Sequence, residues 1–220
     1  MLTFIEKQRL MEKLPEFLML SDVSDAAALK GIGAVEAASM DEVRAAYEII
    51  ENRRGIFYSI RGQENVEDIL DKCRIIAASM EDMIAINRAS EAMGVTTMVG
   101  LLMPADGFEG PGITTDELRT MVHDIKQLKN ISVCGCIITG NVDGLHGKAL
   151  GKYVRSSYQT AKVMTYILPC SMPYICIHGL LDAMAWNETE HPEDLEDFLT
   201  AANIVGMQNS TAFYADYYVM

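Results

Sequence analysis

One feature constrains this chain more than any other: short apolar runs alternate with amphipathic stretches from end to end. The apolar runs stand at residues 17–22, 34–38, 56–60, 74–78, 97–102, 131–138 and 173–177, with a last one within 204–213. Helical spacing fills the gaps. It is seen at residues 4–14 (Leu10, Met11 and Leu14), 26–29, 39–51, 66–72, 79 onward, 114–128, 153–164 and 192 onward. Helix starts are marked as the chain needs them. Ser39 precedes Glu42 by three positions, Ser79 precedes Asp82, and Thr114 precedes Glu117. In each case a hydroxyl can accept a first-turn N–H while the acid faces the helix dipole.

Strand–helix alternation of this kind implies parallel strands joined by crossovers. The runs are apolar throughout rather than alternating, as expected of strands covered on both faces. Eight such units in 220 residues predict an α/β fold, a single (β/α)8 TIM-type barrel occupying residues 1–220. A doubly wound open sheet is the alternative, but no Gly-rich phosphate fingerprint opens the first unit.

Half the residues are hydrophobic, enough for a sizeable core. The net charge of −13 argues against nucleic-acid and anionic-membrane partners. The N-terminus turns charged at Glu6-Lys7, without a signal-type apolar stretch, and the five cysteines fit a reducing cytoplasm. The fifteen methionines read as core filler.

The stretch TTMVGLLMPADGFEGPGITTDELRTMVHDIKQLKNISVCGCIITG, residues 96–140, has an apolar strand, a loop ending in Gly112-Ile113, a helix with Glu117-Leu118, then Leu128 and a strand carrying Gly135. It resembles the alanine-racemase-type barrel, fold type III of the pyridoxal-phosphate (PLP) proteins. In length the small PLP homeostasis proteins are nearest. AVEAASMDEVRAA at 34–46 resembles the strand-two unit of the related decarboxylases, and NSTAFYADYY at 209–218 the final strand.

The resemblance implies a Schiff-base lysine at the end of strand one. Here Ser21-Asp22 stands there, and neither can form an imine. It also implies a phosphate site on strand eight. Asn209 and Ser210 replace its Gly-Thr, and Ser210 and Thr211 keep hydrogen-bond donors without the glycine. The fold is thus expected with no confident cofactor, PLP being held only without a Schiff base.

Sites in such barrels lie at the C-terminal strand ends. That rule selects Asp22, Glu36 and His178 as candidate acid–base residues. It selects Ser21, Arg61, Asn141, Asn209, Ser210 and Thr211 as candidate ligand contacts. Each has a plainer role available: Asp22 pairing with Arg61, Glu36 as a hydrogen-bonded structural carboxylate, His178 as an interior histidine.

Asp106, Glu109, Asp143 and His146 lie on nearby loops. The loop 104–112 could act as a lid or simply connect. Convergence of His146, His178, Asp22 and Glu36 on a metal is open, but without HExxH or paired CxxC spacing no metal site is expected. Cys134 and Cys136, two apart on a strand, should share a face and pack in the core. Lys148, Lys152 and Arg155 read as a solvated helix start or an anion site.

Two functions follow. One is a catalytically degenerate barrel that binds a small anionic metabolite or a protein partner, alone or as an oligomer. The other is an amino-acid-metabolising enzyme that uses acid–base residues at the strand ends or non-covalently bound PLP.

Overall fold

The computed structural model describes residues 18–20, 34–50, 55–60, 66–170, 174–194, 200 and 212–216. The strands are β1 (Leu18–Leu20), β2 (Ala34–Ala37), β3 (Ile56–Ser59), β4 (Arg74–Ala77), β5 (Thr97–Pro104), β6 (Ile131–Thr139), β7 (Tyr174–Ile177) and β8 (Ala212–Asp216). The helices are α1 (Met40–Ile49), α2 (Met80–Met93), α3 (Thr115–Ile125), α4 (Gly147–Ile167) and α5 (Leu180–Glu190). Strands β2 to β7 form a curled, wholly parallel sheet in chain order. β8 pairs with β7, β2 with β1, and β1 with β8, all parallel. The architecture is α/β of barrel type.

Two apolar clusters explain why the strands read as unbroken hydrophobic runs. The larger holds Val35, Ala37, Tyr58, Ile75, Leu101, Ile138 and Ile177 from one strand face, with Val43, Met83, Ile86, Leu118, Leu150 and Met164 from the helices. The smaller lies on the concave face: Ala34, Phe57, Ile76, Leu102, Cys134, Ile137, Tyr174 and Cys176. Successive residues of one strand enter different clusters, so apolar groups are needed on both sides.

The caps form as the spacing predicts. Ser39, Ser79 and Thr114 each accept the backbone N–H three residues on, and Thr114 with Glu117 completes a reciprocal capping box. Asp82 and Glu42 likewise accept from the N–H of Ala78 and Ala38, at 2.9 Å each.

Several boundaries differ. Residues 66–72 form only a short 3-10 turn, Glu67–Ile69, because Val66 supplies no side-chain cap. α4 begins at Gly147, earlier than its periodicity suggests, because Gly147 and Gly151 interrupt the apolar pattern. α5 was not expected. It follows Gly179, whose left-handed φ of 70° turns the chain straight from β7 into a helix without a side-chain cap. β8 runs over Ala212–Asp216, overlapping the expected 204–213 only at its end. Phe213 and Tyr214, aromatic residues that favour a strand, lie there, and residues 204–211 lie outside the described residues. The helices expected at 4–14 and 26–29 and most of the segment after Pro192 lie outside the described residues.

Cys134 and Cys136 do not share a face. The β5–β6 register shifts between Val99, opposite Val133, and Leu101, opposite Cys136. Gly135 takes up the extra residue at φ 70°. The bulge leaves Cys134 in the concave cluster and sends Cys136 to the helix side. A Cβ at Gly135 would lie 2.5 Å from the Tyr174 ring, so glycine is required twice over.

Candidate functional site

Glu36 lies between Val35 and Ala37, which both face the helices, so its carboxylate points inward with Ala34. His178 follows the last residue of β7, where its N–H donates to the Ile138 carbonyl at 2.9 Å. The two side chains meet: His178 Nε2 and Glu36 Oε2 are 2.9 Å apart, with the side chains 4% and 15% exposed. Ser59, at the end of β3, donates its hydroxyl to the other Glu36 oxygen at 3.1 Å. Three strands thus bring an imidazole, a carboxylate and a hydroxyl together above the apolar layer of Ile76, Leu102, Ile137 and Cys176. In such a histidine–carboxylate pair a proton can pass between two groups that can each carry it. Ser59 was not among the expected residues. Its signal was its place at a strand end beside Glu36's strand.

Asn141 is exposed. Its side-chain oxygen accepts the Asp143 N–H at 3.0 Å, and its backbone N–H donates to Glu109 at 2.8 Å. It shapes the loop after β6. Ser21, Asp22, Arg61, Asn209, Ser210 and Thr211 lie outside the described residues. β1 ends at Leu20, and the C-terminal end of β8 is Asp216.

The loop after β5 is strapped down. Thr139 donates to the Pro111 carbonyl at 2.6 Å, Ser156 to the Asp106 carbonyl at 2.6 Å, and Thr115 to the Asp106 carboxylate at 3.0 Å. Phe108 meets Tyr153 edge-on at 5.0 Å. Such anchoring makes it a fixed wall. Lys148, Lys152 and Arg155 all sit on the exposed side of α4.

The opposite end of the sheet is built differently. Arg74, the first residue of β4, lies over the Tyr174 and Phe57 rings at 4.6 and 5.4 Å. One of its guanidinium nitrogens is buried without a hydrogen bond among the described residues. A cavity of about 520 Å³ adjoins it, lined by Cys73, Arg74, Met93, Met98 and Cys134 among others. Burial pushes the Cys73 thiol up to about 12 and that of Cys170 up to about 11. The described cysteines are free, and these two are shielded rather than activated.

A second polar cluster lies beyond β6. His146 Nδ1 is 2.6 Å from Asp194 Oδ2, and the His146 and His191 rings stack 4.2 Å apart, 12° from parallel.

No protein-family model and no curated protein matches the sequence. Solved structures do match. Diaminopimelate decarboxylase from Helicobacter pylori, complexed with L-lysine, superposes with a TM-score of 0.74 at 12% identity, over 96% of this chain and 60% of that one. The arginine decarboxylase of Paramecium bursaria Chlorella virus, bound to agmatine, gives 0.73 at 14%, over 97% and 60%. The fold is that of the alanine-racemase-type barrels. PipY of Synechococcus elongatus, solved without PLP, gives 0.59 at 10% and is covered over 96% of its length. The chain spans about 60% of the two decarboxylases. At these identities the likeness is one of fold.

An alanine-racemase-type fold raises the question of PLP. Covalent attachment needs an amine on the inner face at a strand end. Among the described residues, Lys72 precedes β4, Lys126 and Lys129 precede β6, and Lys148, Lys152 and Lys162 are exposed on α4. None of these is placed for a Schiff base. No described helix is long and apolar enough to cross a membrane.

Proposed function

We propose that residues 1–220 form a single (β/α)8 barrel domain, a catalytically degenerate relative of the PLP barrels. It binds a small anionic metabolite or amino acid without a PLP Schiff base. The carrying observation is the Glu36–His178 pair, buried at the strand ends where the fold places its chemistry, with no described lysine beside it. The closed strand order supports the single-barrel reading.

In this reading His178 and Glu36 hold a proton against the bound ligand. Ser59 fixes the carboxylate's orientation, while Asp22, Ser21, Arg61, Asn209, Ser210 and Thr211 supply the remaining polar contacts. The acidic surface suits a cytoplasmic protein without nucleic-acid or membrane partners. A second subunit or a protein partner at the C-terminal face is part of the same proposal.

A second reading is favoured by the same pair. A buried histidine–carboxylate couple is a proton-transfer geometry, and an enzyme acting on an amino acid could use it with Asp22 and Arg61. One experiment separates these readings from a conventional PLP enzyme: the absorbance of the protein with PLP before and after borohydride. A reducible imine would overturn the proposal. Without it, a thermal-shift screen of amino acids and phosphorylated metabolites follows. The stabilising ligand should lose its effect in Arg61→Ala and Glu36→Gln. Turnover of that ligand would favour the enzyme.

A further inference from the structure

We propose a divalent-metal site of zinc-like preference formed by His146, His191 and Asp194, separate from the Glu36–His178 pair. The three come from the loop before α4 and the turn after α5, yet their ligand atoms all lie within 4.8 Å of one another. Two imidazoles and a carboxylate suit a borderline cation, and three protein ligands leave a fourth position for water or a small anion. Ligand atoms around tetrahedral zinc sit about 3.4 Å apart, from metal–ligand distances near 2.1 Å. The observed spread, at most 4.8 Å, is close enough for side-chain rotation to bring the three atoms towards that spacing.

The surroundings hold this arrangement. His146 is the N-cap residue of α4 but makes no side-chain cap bond. Asn187 takes over instead, accepting the Gly147 N–H at 3.3 Å while its amide donates to the carbonyls of Leu145 and Ala183 at 2.9 and 2.7 Å. The His146 ring is thereby released to face Asp194. A Cβ on Gly147 would come within 2.9 Å of Asp194 Cβ, so the glycine makes room for the carboxylate. The His146 and His191 rings stack near-parallel at 4.2 Å, so one ring must turn out of the stack for both to reach a single ion, and Trp186 meets His191 edge-on at 4.8 Å. Asn187 thus fixes the backbone on either side of His146, and Trp186 packs beside His191.

The test is titration of the metal-stripped full chain with Zn²⁺ by calorimetry, and with Co²⁺ by visible absorption. One equivalent should bind, and Co²⁺ should give the intense ligand-field band of a four-coordinate site. His191→Ala and Asp194→Asn should each weaken Zn²⁺ roughly tenfold or more. His123→Ala, on α3, should leave binding unchanged. Binding that survives both site variants, or none at one equivalent, would overturn the site. If Asp194→Asn fails to fold, the cobalt spectrum of the unmodified chain decides, and absence of the band overturns the proposal.

Discussion

The two ends of the strand interior make an instructive pair. Each buries a charged side chain inside an apolar sheet, and each does so differently. At the N-terminal ends Arg74 lies against two aromatic faces and leaves a nitrogen without a hydrogen bond among the described residues. At the C-terminal ends Glu36 is met by an imidazole and a hydroxyl. A guanidinium cannot release its proton in a protein, whereas imidazole and carboxylate exchange theirs readily. One end is therefore fixed in charge and the other can change it. Only the second could hand a proton to a bound molecule.

The comparison can be broken by substitution. Tyr174→Ala should be the most damaging, because the ring fills the space over Gly100 and Gly135 and meets Phe57 edge-on at 4.9 Å. A loss of about 3–5 kcal/mol in denaturant unfolding is expected, and a Tm lower by roughly 10 °C. Glu36→Ala should cost less, about 1–3 kcal/mol, by removing the acceptor used by His178 and Ser59. Unlike Tyr174→Ala, it should abolish any ligand-induced thermal shift. If Glu36→Ala destabilises the fold more than Tyr174→Ala does, the polar end is the structural keystone and the contrast fails.

Arg74→Met should lie within about 1 kcal/mol of the native chain, since the apolar stem stays and an unbonded buried nitrogen goes. A larger loss would mean that the charge itself is needed there, making the N-terminal end a binding end too. The smallest effect is on pH dependence. The folded-state pKa of Cys73 is about 12 and that of Cys170 about 11, both raised by burial from 9.0. A raised thiol pKa contributes stability that is present below pH 9 and is lost as pH rises through 11 to 12. Unfolding curves across that range should show the decline. At pH 8, a disulfide reagent should modify these two thiols slowly until the chain is unfolded.

The sequence made the sheet readable because burial on both faces leaves an unmistakable pattern, as in Ile75-Ile76-Ala77. The caps were readable because Ser39, Ser79 and Thr114 act locally. Glu36 and His178 stood out separately as polar groups among apolar neighbours. Their contact spans 142 positions and needs the sheet to curl, which no local pattern encodes. The same reason hid His191 and Asp194. His146 was visible near a strand end, but its partners arrive through α5, a helix with no side-chain cap to announce it. The face of Cys136 was misjudged because alternation assumes an unbroken strand, and Gly135 breaks it.

That bulge has a consequence for how the chain tolerates change. A strand has a reading frame of two, and Gly135 is a single-residue insertion that resets it. Everything downstream on β6, from Cys136 to Thr139, is written in the shifted frame. Deleting Gly135 would remove the insertion and the bulge together, and plain alternation would keep Cys136 and Ile138 on the helix side and Ile137 inside. A side chain at 135 that forced regular strand geometry would instead turn Ile137 outward and Cys136 and Ile138 inward, scrambling the strand.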